Sequence, residues 1–333
     1  MQALQLKQYG GLDHVAFAEL PRPTPGPGEL LVRVHAVGLN PIDNLIPRGD
    51  FKPILKLRLP ATVGSDLAGV VAEVGSGVTR FKVGDAVYAS IFDTPHGSLA
   101  EFAIVPEQAA ALKPASLDFV QAASIPMVGL TAWQAMHERM QLRPGPPVFI
   151  PAGSGGIGTF AIQLARHLGA RVGTTTSTAN VALVRSLGAD EVVDYTQQPF
   201  EDVLRDYDAV LGTVRGDGLE KALRIVKPGS RVVSLVGPPD AAFARARGMH
   251  FMLTLVFGLL SRKIIGLAKR RGARYAFHFV RPDGGQLAQL AALLDAGSIH
   301  PVIDMVFPFA EAKGALAYLA RGRARGKVVV RLR

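Results

Sequence analysis

Pro147-Val148-Phe149-Ile150-Pro151-Ala152-Gly153-Ser154-Gly155-Gly156-Ile157-Gly158 is the stretch whose reading decides the fold. Val148, Phe149 and Ile150 form a short apolar run and predict a buried strand. Glycines follow at 153, 155 and 158. Residues 159–168 then read TFAIQLARHL, with apolar residues at helical spacing, and stop at Gly169. A Gly-x-Gly-x-x-Gly match set between a strand and a helix is the setting in which the motif binds a dinucleotide. Glycine lets the backbone turn tightly and approach a pyrophosphate, and the helix N-terminus offers free N–H groups and a favourable dipole. Gly158 lets the helix pack closely on the strand. This reading assigns Gly153, Ser154, Gly155, Gly156, Ile157 and Gly158 to the cofactor.

Residues 170–176 (ARVGTTT) predict a second strand after that helix, so the unit reads βαβ. A rival reading takes Ala152-Gly153-Ser154-Gly155-Gly156 as a nucleophile elbow, which also places a serine between strand and helix. A purely structural glycine turn is a third.

The length of 333 residues suits two domains, and 48% hydrophobic residues are enough for sizeable cores. With no cysteine there is no disulfide, thiolate metal ligand or cysteine nucleophile. The N-terminus, MQALQLKQYGG, lacks a long apolar region, so no secretory signal is expected and a cytoplasmic location is the default. The longest apolar run, residues 251–260, ends at Ser261-Arg262-Lys263, about half of what a membrane span requires, and no membrane association is expected. The net charge of +10 gathers at residues 262–274 and 321–333. An anionic cofactor and non-specific nucleic-acid binding are functional readings of it, and a solvated face is the plain one. Aromatics are 7% and do not interleave with the basic runs, which disfavours nucleic acid.

Short strands with Gly/Pro turns predict a small β-barrel in the first third, with strands near 29–37, 66–74, 86–90 and 98–105 and a turn at 38–43. From residue 117 the period changes, and residues 122–140 are helical in pattern. Strands at 148–150, 171–176, 191–193, 208–212 and 231–236 alternate with helices near 159–168, 179–187 and 218–226, which predicts a doubly wound parallel sheet. Residues 250–280 read as a helix over the sheet and then a strand from Tyr275. Residues 286–296 are helical, and 326–331 read as a last strand.

LVRVHAVGLNPID (31–43), VGSDLAGVVAEVGSGVTRFKVGDAVY (63–88), GSLAEFAIVP (97–106), AASIPMVGLTAW (122–133), IPAGSGGIGTFAIQLARHLGA (150–170), SLGADEVVDY (186–195), LRIVKPGSRVVSLVG (223–237) and RARGKVVV (323–330) together resemble the medium-chain dehydrogenase/reductase superfamily, in its zinc-free quinone oxidoreductase and enone reductase branch. The resemblance covers nearly the whole chain. It implies an α/β architecture: a GroES-like β-barrel catalytic domain (1–122), a Rossmann doubly wound parallel sheet domain binding NADPH (123–297), and a return segment (298–333) completing the first. It also implies an active cleft between the two domains and a homodimer.

In zinc relatives a cysteine ligand occupies the position of Asn40, and Gly-His-Glu corresponds to Gly64-Ser65-Asp66; neither thiolate nor imidazole stands here, so zinc cannot be held by these residues. The resemblance places Asn40 and Thr131 at the nicotinamide and substrate, as catalytic residues. The plain readings are a turn asparagine and a threonine early in a helix. It places Tyr195 beside the 2′-phosphate, and Val236 and Lys327 at the cofactor. Counting 18 residues on from Gly158 reaches Thr176, and Thr176 and Ser177 offer hydroxyls where NADH sites carry a carboxylate; none occurs between Arg171 and Leu187. Relatives carry a lysine near Asn180, a charge missing here, for which Arg185 stands as a substitute. Asp43 and Asp66 read as structural. Leu45 removes a proton donor that relatives carry. Residues 251–260 read as part of the substrate wall or simply as core. The expected activity is NADPH-dependent reduction of a quinone or of the C=C bond of an enone, with the proton drawn from water. The alternatives are a serine hydrolase using Ser154, with an Asp and one of His250, His278 and His300, and a basic nucleic-acid-binding protein on a reductase fold.

Overall fold

The computed structural model describes residues 1–55 and 57–333. Along the chain run β1 (Gln2–Leu6), β2 (Val15–Glu19), β3 (Glu29–Leu39), α1 (Ile42–Arg48), β4 (Ala61–Thr62), β5 (Asp66–Val74), β6 (Ala86–Ser90), β7 (Phe102–Pro106), β8 (Ala110–Leu112), α2 (Phe119–Ala123) and α3 (Pro126–Trp133). A π-helical stretch, Gln134–Met140, leads to β9 (Pro147–Ile150), α4 (Gly156–His167), β10 (Arg171–Thr176), α5 (Val181–Ser186), β11 (Glu191–Asp194), α6 (Phe200–Val203), β12 (Tyr207–Gly212), α7 (Gly218–Ala222), β13 (Val226–Ser234), α8 (Ala241–Ala246), α9 (Phe251–Arg270) and β14 (Arg274–Phe277). α10 (Gly284–Asp295), β15 (Ile303–Pro308), α11 (Ala312–Ala320) and β16 (Lys327–Arg331) close the chain.

Two units result, Met1–Leu130 with Arg281–Arg333, and Thr131–Val280. The division differs from the expected boundaries at 122/123 and 297/298. α10 belongs with the first unit because it lies against β8: a Cβ on Gly284 would come within 2.1 Å of the Ala110 carbonyl oxygen, and Ser116 donates from N and Oγ to Asp295 at 2.9 and 2.7 Å.

In the first unit the main sheet runs β15-β16-β3-β5-β6-β8, with β7 paired to β3, and a small sheet runs β2-β1-β4. Val32, Val34 and Val37 of β3 enter a core shared with Leu67, Val71, Val87, Val328 and Val330. β16 pairs antiparallel with β3, Val328 opposite Leu39, so the chain's last strand lies beside the turn that follows β3. Residues 38–43 are more than the expected turn, since α1 begins at Ile42 and runs to a left-handed Gly49. β7 begins at Phe102 rather than 98.

The second unit is a parallel sheet of order β11-β10-β9-β12-β13-β14, the doubly wound arrangement with its order reversing at β9. Val148, Phe149 and Ile150 are wholly buried, as a central strand covered on both faces requires. β13 starts five residues before the expected strand. Lys227-Pro228-Gly229 reads as a turn, yet the strand carries it through a register shift opposite Tyr207 and Ala209. Thr131 lies in the second half of α3, not at a helix start. The apolar run 251–260 is the first half of α9, a 20-residue helix long and apolar enough to cross a membrane by length and composition. Ser261 does not end it, because its hydroxyl turns inward and donates to the Phe257 carbonyl at 2.7 Å.

Candidate active site

In the first unit β3 ends at Leu39 and Asn40-Pro41 turns the chain into α1. Gly38 brings α2 against this end: a Cβ there would sit 2.0 Å from the Ala123 carbonyl oxygen. Asn40 is buried, and both ends of its amide are engaged. Its Oδ1 accepts from Lys327 Nζ at 2.5 Å, and its Nδ2 donates to Asp66 Oδ2 at 2.9 Å. An ammonium only donates and a carboxylate only accepts, so the amide has one satisfactory orientation. Lys327 Nζ also donates to the Leu39 carbonyl at 2.8 Å and stands 3.9 Å from Asp66 Oδ2, which accepts from the Met127 backbone N–H at 3.0 Å. Asp43 accepts from Asn40 N at 2.7 Å and from the Ser65 hydroxyl.

Asp43 and Asp66 thus hold the turn, as expected, while Lys327 does something the sequence did not indicate. Its ammonium is buried and committed to three oxygens of its own unit. Lys327 was expected at the cofactor and Asn40 at the nicotinamide and substrate; the structure joins their side chains to each other, because burial makes each require a partner. Burial pushes Lys327 down and Asp66 up, and their mutual attraction opposes both shifts. Burial also raises Asp43 to about 7, against the hydrogen bonds from Ser65 and Asn40. The stability consequence has a definite sign. Unfolded Asp43 ionises near the ordinary 3.8 while the folded group keeps its proton to about 7, so stability falls as pH rises through that window and is level above it. An Asp43→Asn variant lacks this slope. Its melting temperature relative to wild type is expected to climb between about pH 4 and 7 and then level off; a difference constant with pH would show that Asp43 ionises normally.

Asn40 and Ser65, where zinc relatives carry ligands, present an amide and a hydroxyl turned onto Asp66, Lys327 and Asp43. Among the described residues, no three His, Asp or Glu side chains gather as a metal site needs.

In the second unit the glycine turn joins β9 to α4. A Cβ on Gly158 would lie 2.4 Å from the Ala152 carbonyl oxygen and 2.7 Å from Gly153 Cα, so helix and turn touch backbone to backbone there. Gly155 caps α4 without any side-chain hydrogen bond, leaving the first N–H groups to an outside acceptor. A Cβ on Gly155 would meet only the Ala152 carbonyl oxygen, at 3.4 Å, so the space before it is open. An anion fits this cradle of open glycine and uncapped donors.

Beside it the ends of β9 and β10 gather Ser154, Thr176, Ser177 and Asn180. Ser154 Oγ accepts from Thr176 Oγ1 at 3.0 Å and from Asn180 Nδ2 at 3.3 Å, and Asn180 Nδ2 also reaches Ser177 Oγ at 3.2 Å. The amide carbonyl oxygen of Asn180 is buried without a partner among the described residues. Asn180, noted in the sequence only for lacking a lysine's charge, is a member of the cluster. Tyr195, exposed at the end of β11, donates its backbone N–H to Thr176 O at 3.1 Å and borders a cavity of about 590 Å³ with Ala152, Thr175, Phe200 and Val214. Val236 is half-buried just beyond β13, its N–H on Ser234 Oγ at 3.3 Å. Thr131 is buried and counts with this unit.

Two expectations change here. Ser154 is not a poised nucleophile, for neither Thr176 nor Asn180 can take its proton, and the left-handed residue of the turn is Ala152, φ 56°, not the serine. And a carboxylate does reach the end of β10. It comes from the neighbouring strand, as β10–β11 pairing sets Asp194 opposite Thr176. Thr178 and Thr196 hydroxyls donate to it at 2.5 and 2.7 Å and hold it below the usual carboxylate range.

Two family models match the chain: the alcohol dehydrogenase GroES-like domain over residues 26–115 and the zinc-binding dehydrogenase over 187–330. The mitochondrial NAD(P)H oxidoreductase RTN4IP1 of Danio rerio is 36% identical over 354 residues, covering 99% of this chain and 91% of that protein. The chloroplastic NADPH-dependent alkenal/one oxidoreductase of Arabidopsis thaliana is 34% identical over 345 residues, covering 99% and 79%. Among solved structures, the quinone oxidoreductase from Coxiella burnetii superposes with a TM-score of 0.85 at 30% identity, covering 100% of this chain and 99% of that one.

Proposed function

Because the chain belongs to the medium-chain dehydrogenase/reductase superfamily, in its zinc-free quinone oxidoreductase and enone reductase branch, we propose that it uses NADPH to reduce a quinone or the C=C bond of an α,β-unsaturated ketone or aldehyde. It is an oxidoreductase of the NAD(P)H type with a GroES-like domain and a Rossmann domain. The finer reading rests on one observation above the rest. Ser154, Thr176, Ser177 and Asn180 form a neutral cluster of hydroxyls and an amide beside the uncapped start of α4. Neutral donors there suit a 2′-phosphate, where a carboxylate would repel it. The activities for which the relatives are named, alkenal/one and quinone reduction, support the acceptor class.

When bound, NADPH supplies the hydride. The segment Gly153, Ser154, Gly155, Gly156, Ile157 and Gly158 would hold its pyrophosphate; Thr176, Ser177 and Tyr195 would take the 2′-phosphate side, and Thr131 and Val236 the nicotinamide half. Asn40, with its amide occupied by Asp66 and Lys327, shapes the wall of the site rather than donating to the developing oxyanion. A backbone N–H would then serve a developing oxyanion, and the α-carbon would take its proton from water. Conjugate addition spreads negative charge into an enolate, which asks less of the protein than the full alkoxide of ketone reduction. The family's homodimer and the cytoplasmic location belong to the same proposal, open to sedimentation equilibrium and cell fractionation.

NADPH oxidation against a panel of enones, quinones and saturated ketones tests the reading, with product analysis. Enones are expected to give the saturated ketone, and an allylic alcohol as main product overturns the assignment. The kcat/KM for NADPH should exceed that for NADH by about 10- to 100-fold, or about 1.4 to 2.8 kcal/mol. Asp194 at the end of the neighbouring strand keeps this preference moderate. A ratio at or below unity, or no loss of preference when Ser177 and Tyr195 are changed together, refutes the phosphate site.

A further inference from the structure

α9 carries its apolar residues on the wrong side for a core helix. Phe257, Ser261, Ile264 and Ala268 form the buried face, and Ile264 and Ala268 pack in the same core as Val210 and Val232. Opposite them stand two rows at four-residue spacing, Phe251, Leu255, Leu259 and Met252, Val256, Leu260. These six side chains are between 44% and 70% exposed. They follow one another over ten residues, a strip about 15 Å long. A contiguous apolar strip of this kind marks an interaction surface.

Charge decides what covers it. Between Asp240 and Asp283 the chain has nine Arg and Lys and no Asp or Glu. Exposed Arg245 and Arg247 lie before the strip, and exposed Arg262 and Lys263 directly after it. Lys263 is bound to Glu220 at 2.7 Å, and Arg247 stacks on Phe279 at 5.1 Å. A second copy meeting this face about a two-fold axis would set these cations against one another or against the partner's apolar rows, with no carboxylate in the segment to receive them. An anionic bilayer accepts both features at once. Its acyl boundary takes the two rows, and its headgroups take the cations at either end.

We propose that α9 docks the second unit onto an anionic lipid surface, lying along the interface. It does not cross the bilayer, because its inner face would have to leave the core of the sheet. The proposal departs from the expectation of no membrane contact, and the exposure of six of residues 251–260 departs from the reading of that run as core.

Co-sedimentation of the whole protein with sucrose-loaded vesicles tests it. Wild type should pellet with phosphatidylcholine vesicles containing about one third phosphatidylglycerol, weaken as salt is raised, and pellet little with phosphatidylcholine alone. The pair Leu255→Gln with Leu259→Gln should reduce partitioning at least about tenfold, and Arg245→Gln with Arg262→Gln should do so too. The altered residues are exposed, so both variants should melt like wild type, which circular dichroism checks. No pelleting of wild type overturns the proposal. So does pelleting that the leucine pair leaves unchanged, which would be plain adsorption of a basic protein. A wild-type dimer that the leucine pair converts to monomers, seen by sedimentation equilibrium, would assign the face to a second copy instead. Reductase activity enters none of these readouts, so the lipid proposal and the NADPH proposal can fail separately.

Discussion

Lys327→Met is expected to lower unfolding stability by about 3 to 5 kcal/mol in urea titration, the range for removing one partner of a buried ion pair. The methionine fills much the same space, so the loss comes from what is left behind. Asp66 keeps its burial without its counter-charge, and Asn40 Oδ1 and the Leu39 carbonyl lose their donor. The deficit should grow with rising pH, because burial holds Asp66 above the ordinary carboxylate range, so that at low pH the abandoned group can protonate and shed its charge, whereas at high pH it cannot. Adding Asp66→Asn to Lys327→Met should recover most of the loss, since both charges are then gone; a double-mutant cycle measures the coupling. Catalysis separates two roles for the lysine. A positioning role, acting through Asn40, predicts a fall in kcat with a small change in KM for NADPH. A rise in KM for NADPH with kcat intact would make Lys327 a direct cofactor ligand. Stability of Lys327→Met within about 1 kcal/mol of wild type would mean that the buried network contributes little to the fold.

Gly158→Ala is expected to weaken NADPH binding by about 100-fold, the cost of displacing a binding element by about 1 Å. The added Cβ meets backbone on both sides, the Ala152 carbonyl oxygen at 2.4 Å and Gly153 Cα at 2.7 Å, and neither can rotate away. α4 must therefore move off the turn, taking its N-terminal donors with it, and stability should fall as well. Gly155→Ala makes the contrast. Its Cβ has room, 3.4 Å from its nearest neighbour, and its φ of −78° suits alanine, so the melting temperature should barely change. The new methyl projects into the cradle, and affinity for NADPH should still drop. Fluorescence titration with NADPH reads both variants. Unchanged affinity in Gly155→Ala would place the pyrophosphate elsewhere.

The sequence by itself determined the order and kind of the central elements. Val148-Phe149-Ile150, the glycines and the helix after them are read within a dozen residues, because strand burial, turn geometry and helical period are local properties of the backbone. Thr176 and Ser177 were placed at the end of β10 in the same way, by counting along one βαβ unit. The misreadings were local signals overruled by packing. The strand expected from 231 begins at Val226, because pairing with β12 carries Pro228-Gly229 inside β13. Only the tertiary structure decided what depends on strand pairing. Lys327 meets Asn40 across 287 residues of chain because β16 lies beside β3, and Asp194 reaches the end of β10 because β11 is its neighbour. It also decided which side of α9 is turned inward, since the helical period defines two faces and the sheet chooses between them. A buried charge must find its partner wherever the fold supplies one, and no spacing along the chain states where that is.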